Sequence, residues 1–211
     1  MKPMRTVLLL SSGGLDSTTV AYWLREKEVV IAPIFFDYGQ HCVETEWATL
    51  QSVLPTGGVL EPSRIDVSGI FRGSPSRLIV EPNLWEEHVS DEDLYIPYRT
   101  LLFFSIGAAC AQTRGLTEVY SGFINSNHAK EIDCSASFLN GLENLAANIG
   151  PVKFQIPFRN WSKAEIVAEA ERLGVPIGAT YSCQLFSDTP CGACPNCVER
   201  LTAIHSKAVS S

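Results

Sequence analysis

The 211-residue chain is short of several things, and each shortage narrows what it can be. No apolar run has the length of a bilayer crossing, so no membrane-spanning helix is expected. No stripe of Lys and Arg appears, and the formal net charge of −7 speaks against broad electrostatic binding of nucleic acid. Internal repeats and low-complexity stretches are absent, which leaves an ordinary globular domain with a sizeable core. The start, Met1-Lys2-Pro3-Met4-Arg5, runs straight into an apolar segment that a polar turn soon interrupts. That makes a poor secretion signal, and a cytoplasmic protein is expected. The glycine turn near the N-terminus lacks the Lys-Ser/Thr pair of a Walker loop and the three spaced glycines of a dinucleotide fingerprint.

What that turn does contain is Leu10-Ser11-Ser12-Gly13-Gly14-Leu15-Asp16-Ser17-Thr18. It follows the β-favouring run Thr6–Leu10 and leads into a segment that reads as a helix. Glycines let backbone approach a ligand closely. A helix N-terminus offers unpaired N–H groups and partial positive charge. Strand, glycine turn and helix together make an anion cradle, most often for phosphate. A turn that binds nothing is the plain alternative.

The rest of the chain alternates. Strands are predicted at about 5–10, 29–36, 64–67, 118–121 and 152–156, and helices at about 16–27, 41–54, 99–114 and 135–149. Ser162-Lys163-Ala164-Glu165 is a capping box that opens a further helix, which Gly174 and Pro176 close. Residues 68–98 are irregular, and a stretch so long inside a compact domain is usually functional or mobile. Strand–helix alternation predicts an α/β fold, a parallel sheet with helices on both faces. In such sheets ligands bind beyond the C-terminal strand ends. The glycine turn, Asp37-Tyr38-Gly39-Gln40 and Gly122 all fall at such ends, which predicts one shared site.

Of seven cysteines, Cys183, Cys191, Cys194 and Cys197 cluster. In a cytosolic setting that argues for metal rather than disulfides. Two adjacent Cys-x2-Cys steps bring sulfurs to one point, and no His stands nearby. Four thiolates suit a closed structural zinc site; an iron–sulfur cluster is the competing reading. Residues 1–180 are expected to form the nucleotide domain and 181–211 a metal-binding region packed on it.

Ser-Gly-Gly-x-Asp-Ser after a first strand resembles the PP-loop of ATP pyrophosphatases, which join AMP to a substrate oxygen and let a nucleophile displace it. With the cysteine cluster, the chain resembles the QueC family of 7-cyano-7-deazaguanine (preQ0) synthases over nearly its whole length. The resemblance rests on Ser12–Ser17, Phe36-Asp37-Tyr38-Gly39-Gln40, Ile96-Pro97-Tyr98-Arg99, Ser121-Gly122, Asp133-Cys134, Pro157, the capping box and the four cysteines. It implies a PP-loop, Rossmann-like fold and ATP-dependent conversion of 7-carboxy-7-deazaguanine with ammonia, first to an amide and then to the nitrile. It also implies Mg²⁺ and a structural Zn²⁺. Such chemistry needs positioning and charge stabilisation rather than a protein nucleophile.

By the same resemblance Leu10, Ser11, Ser12, Gly13, Gly14, Leu15, Asp16, Ser17 and Thr18 bind ATP, with Asp37, Gly39 and Gln40 on the nucleotide side. Asp16 caps the loop or helps hold Mg²⁺. Arg99 and Lys163 are candidates for phosphate neutralisation; a surface ion pair and a solvated helix residue are their plain alternatives. Gly122 and Asp133 are the substrate-side candidates, a carboxylate being suited to the N–H edge of a guanine-like base.

Three features depart from the family pattern. Tyr98 stands for a glycine and Thr100 for an asparagine before the long helix, Asn127-His128-Ala129-Lys130-Glu131-Ile132 replaces most of the base-recognition loop, and the stretch after the last family cysteine is short. A relative that stops at the amide, or joins the deazaguanine to a protein or other amine as in antiphage operons, is therefore the alternative. A non-catalytic nucleotide-binding module and a tRNA-thiolating enzyme are weaker readings, and the acidic balance opposes the last. The expected partners are small molecules, without nucleic acid or membrane; the apolar helix around 99–114 suits a homodimer interface as well as a core.

Overall fold

A computed structural model describes residues 5–83, 86–90, 92–124, 132–185 and 189–208. Five strands, β1 (Thr6–Leu10), β2 (Val30–Asp37), β3 (Ser63–Asp66), β4 (Glu118–Tyr120) and β5 (Lys153–Gln155), form one sheet in the order β3-β2-β1-β4-β5. Every pairing is parallel. The central strand β1 is apolar on both faces, as a doubly covered parallel strand must be. Its alternate residues feed two separate cores. Leu8 and Leu10 join Ile34, Phe36, Phe104 and Leu139 on one face, while Val7 and Leu9 join Leu24, Ile31, Ile166 and Val167 on the other. Each such side chain contributes about 2 kcal/mol of burial.

The helices are α1 (Leu15–Glu26), α2 (Val43–Val53), the single turn α3 (Ser68–Phe71), α4 (Arg99–Thr113), α5 (Ala136–Ile149), α6 (Lys163–Leu173) and α7 (Pro195–Ala208). Short 3-10 turns lie at Glu92–Leu94, Ile132–Cys134 and Ile177–Ala179. The predicted elements recur within a residue or two, the uncertainty usual at element ends. The capping box of α6 is formed in both directions, and Gly174 closes that helix at φ 72°.

By length and composition the segment Glu92–Thr113 does have the character of a membrane span, contrary to expectation. Within it, α4 lies against the sheet through Phe104, Gly107 and Ala111. A Cβ on Gly107 would come within 3.0 Å of Leu10, so the glycine sets how near α4 approaches β1 and hence where Arg99 stands. Helix α7, absent from the sequence expectations, packs on α6 and places Ala203 in the core shared by α1, α6 and the sheet.

Candidate active site

The glycine loop joins β1 to α1 at the C-terminal edge of the sheet. Gly13 has φ 76°, where a side chain is strained, and a Cβ there would strike the α2 backbone at 2.8 Å. Gly14 is the N-cap of α1 and supplies no capping side chain, so the first-turn N–H groups are not closed off from that side. The Ser12 Oγ accepts from the Gly14 N–H at 3.3 Å, and the Ser12 N–H donates to the Ser17 Oγ at 3.3 Å. Gly122 closes the far side. A Cβ there would stand 2.7 Å from the Ser17 nitrogen, so the exit of β4 presses directly on the first turn of α1. The Tyr181 N–H donates to the Gly13 carbonyl, fixing the C-terminal segment to the loop.

A cleft of about 310 Å³ opens over this loop. Cationic groups reach it from three helices: Arg99 from the start of α4, Lys163 from α6 and Arg200 from α7. The Lys163 ammonium donates to both carboxylate oxygens of Asp16, at 2.9 and 2.7 Å, and stands 3.5 Å from Glu199. Burial pulls Lys163 down, but the charges of Asp16 and Glu199 outweigh it and hold the amine above its ordinary value. The Arg200 guanidinium donates to the hydroxyls of Thr180 at 2.8 Å and Ser182 at 3.2 Å; burial lowers its pKa without removing its charge.

On the opposite wall Phe36 stacks on Phe103 with centroids 4.4 Å apart, and Tyr38 packs beside them under the Arg99 guanidinium. Such a wall offers flat apolar surface to a ring. Below it sits Glu46 of α2, whose Oε2 accepts from the Gln40 side chain at 2.8 Å. Burial pushes its carboxyl up to about 7, although hydrogen bonds from Gln40 and Cys42 and the charge of Arg99 pull the other way.

Near the cleft the four C-terminal cysteines converge, with all sulfurs within 4.8 Å of one another. Tetrahedral zinc with bonds near 2.3 Å places sulfurs about 3.8 Å apart, a spacing this cluster can adopt. Backbone N–H groups of Cys191, Cys194 and Cys197 already donate to the cysteine sulfurs at 3.2–3.4 Å, as is usual around bound thiolates. Cys183 lines both the cluster and the cleft.

The family model described as "Queuosine biosynthesis protein QueC" matches residues 6–208. The chain belongs to the QueC family. It is 30% identical to the 7-cyano-7-deazaguanine synthase of Campylobacter curvus, over 98% of this chain and 96% of that one. It is 33% identical to the synthase of that name from Synechococcus sp. strain CC9902, over 95% and 93%. Among solved structures it is similar to a 4-thiouridine synthetase in complex with RNA and bound ATP, at 18% identity and a TM-score of 0.57, covering 98% of this chain and 54% of that one. A predicted subunit of tRNA methyltransferase from Methanocaldococcus jannaschii gives 15% identity and a TM-score of 0.52, over 80% and 76%. These two likenesses concern the fold alone, a parallel α/β sheet.

Against that family frame the expected site residues divide into two groups. Leu10, Ser11, Ser12, Gly14, Leu15, Asp16, Ser17, Gln40, Arg99, Gly122 and Lys163 line the cleft. Gly13 turns its Cα to the α2 backbone, Thr18 is buried within α1, and Gly39 donates its N–H to Asp37. Asp37 itself turns to Arg64, at 2.7 Å, and not to the cleft. Asp133 is buried, and its Oδ2 accepts the Thr100 hydroxyl at 2.6 Å; it is the neighbouring Cys134 that lines the cleft. Lys130, Glu131 and the rest of 125–131 lie outside the described residues. Sequence reasoning missed Glu46, Glu199 and Arg200, each an ordinary charged residue on a helix with no motif around it.

Proposed function

We propose that this QueC-family chain is an ATP-dependent C–N ligase that makes 7-cyano-7-deazaguanine from 7-carboxy-7-deazaguanine and ammonia. The observation that carries the reading is the uncapped glycine loop, opening into a cleft where Lys163, Arg200 and Arg99 converge. Loop N–H groups and these cations offset the charge that gathers on pyrophosphate as the substrate carboxylate attacks the α-phosphate. Mg²⁺, when bound, would spread phosphate charge, and Asp16, which lines the cleft, would help hold it on exchanging its bonds to Lys163. The wall of Phe36, Phe103 and Tyr38 suits a flat heterocycle. Ammonia then displaces AMP to give the amide, and a second ATP activates the amide oxygen so that loss of AMP leaves the nitrile. The four cysteines fit a structural Zn²⁺ with no open coordination position.

One observation favours a second reading. Thr100 and Asp133 are bonded to each other, and Tyr98 is 75% exposed at φ 64°, in places where the family pattern differs. A base pocket rebuilt in this way suits a member that stops at the amide or passes the acyl group to a protein or other amine.

Purified protein with ATP, Mg²⁺, ammonium and 7-carboxy-7-deazaguanine, followed by pyrophosphate release and mass spectrometry, separates the two. A product at the nitrile mass supports the synthase. Pyrophosphate release with adenylate or amide alone supports the second reading. No ATP turnover overturns both.

A further inference from the structure

Carrying nitrogen from ammonium to a nitrile means removing every proton from it. The proposed chemistry therefore needs a proton acceptor in the cleft, and three carboxylates line it among the described residues: Asp16, Glu199 and Glu46. Asp16 and Glu199 share the Lys163 ammonium as their ion-pair partner. Glu46 is held differently. Its hydrogen-bond partners are the neutral Gln40 amide and the Cys42 thiol, and the charge of Arg99 acts on it as well.

Its position is fixed from both sides. The Gln40 side chain is locked in turn by the Phe36 carbonyl at 3.1 Å and by the Tyr38 N–H at 2.9 Å. The Glu46 backbone carbonyl lies against Gly13, where a Cβ would meet it at 2.9 Å. The carboxylate is thus tied to the turn of α2 on which the glycine loop rests. The groups facing it are Arg99 from α4, Tyr38 from the end of β2, Tyr181 from the C-terminal segment and Cys42 from the entry to α2. Of these only Arg99 carries a charge at neutral pH.

We infer that Glu46 is the proton acceptor for the nitrogen nucleophile, an inference that rests on the function proposed above. The ammonium ion gives one N–H proton to the Glu46 carboxylate, which frees its lone pair. The nitrogen bonds to the acyl carbon, and the C–O bond to AMP breaks with its electron pair leaving on AMP. The surplus proton on the new amide nitrogen passes to water in the open cleft, and Glu46 returns its own proton there before the next transfer. Burial supports the role, because a carboxyl raised to about 7 is matched to proton transfer near neutral pH.

The test compares wild type with Glu46→Gln in two half-reactions. Single-turnover pyrophosphate release without ammonium reads adenylation, which E46Q is expected to keep within about 3-fold. Amide formation with ammonium is expected to fall about 10²-fold or more. Hydroxylamine, already unprotonated at neutral pH, is expected to restore acyl transfer in E46Q as the hydroxamate. In wild type, the rate of nitrogen addition per unit of ammonium is expected to rise through pH 7 and level off above it, while adenylation stays flat. Cys42→Ala, which removes one hydrogen bond to the anion, is expected to move that midpoint upward. Equal loss of adenylation and nitrogen addition in E46Q, or unchanged nitrogen addition, overturns the role while the ligase reading stands. A wild-type protein that releases no pyrophosphate with this substrate overturns both. Should E46Q not fold, a wild-type nitrogen step that ignores pH, or that keeps rising with free ammonia above pH 7 without levelling off, refutes the role by itself.

Discussion

Replacing Gly122 by alanine tests whether the exit of β4 sets the geometry of the phosphate cradle. The new methyl would lie 2.7 Å from the Ser17 nitrogen and 2.8 Å from the Asp16 carbonyl carbon. Ordinary contacts begin near 3.4 Å, so β4 and α1 must part by roughly 0.7 Å. Both clashing atoms are backbone, and no rotamer change relieves them. Gly122 does not have a positive φ, so the objection is steric and not conformational. Overpacking of this kind costs about 1–3 kcal/mol. In a chain of this size about 2 kcal/mol lowers Tm by roughly 4–8 °C. The displaced amide belongs to the turn that faces phosphate, and a misplacement of about 1 Å costs on the order of 10²-fold in rate. G122A is therefore expected to lose roughly 10–100-fold in pyrophosphate release and a few degrees in Tm, read by thermal scanning and a pyrophosphate assay. Gly141→Ala supplies the contrast. Gly141 is exposed in mid-α5 with nothing within 4 Å of its would-be Cβ, so alanine there gains helix propensity of about 1 kcal/mol and leaves activity unchanged. A G122A protein with native Tm and full pyrophosphate release would refute the reasoning.

Lys163→Met leaves Asp16 and Glu199 facing an anionic ligand without their shared cation, and adenylation at saturating ATP is expected to fall by about 10²–10³-fold in single-turnover assays. Cys194→Ser removes a buried sulfur from a cluster continuous with the core; metal analysis is expected to show zinc lost and calorimetry a Tm lower by at least ~10 °C. The raised pKa of Glu46 also predicts a pH effect on stability. Between the unfolded value near 4.5 and the folded value of about 7, the native state holds more protons than the unfolded one, so this group's contribution falls as pH rises through that window. The stability of E46Q relative to wild type, from urea unfolding, is expected to improve by on the order of 2 kcal/mol from pH 5 to pH 8. A constant difference would contradict it.

Much of the architecture is visible in local pattern. Thr6–Leu10 is apolar on both faces because it lies between two helix layers, and Ser162 with Glu165 marks the start of α6 whatever surrounds it. The glycine loop is legible for the same reason, since its signal is contiguous. What escapes is convergence. Glu46 reads as one more polar residue on an amphipathic helix until α2 is packed against Gly13. Arg200 lies on a helix hidden behind the metal-ligand spacing of Cys194 and Cys197. Asp37, though inside a specific motif, turns to Arg64 on the neighbouring strand, a choice fixed by the pairing of β2 with β3. The Thr100–Asp133 bond joins positions 33 residues apart, and neither predicts the other.

The anion cradle is stitched together from distant points of the chain: Ser12 and Gly13, Gly122 against α1, Lys163 on Asp16, and Tyr181 bonded back to Gly13. Chains emerge from the ribosome N-terminus first, at about 5–20 residues per second. The first strand and its turn are therefore exposed for some seconds before their last supporting contact has been translated. Nucleotide has no finished pocket to enter during that interval, so cellular ATP cannot act as a template for the nascent fold. The young chain must rely on its apolar strands alone, or on chaperones, until the segment around Tyr181 has been made.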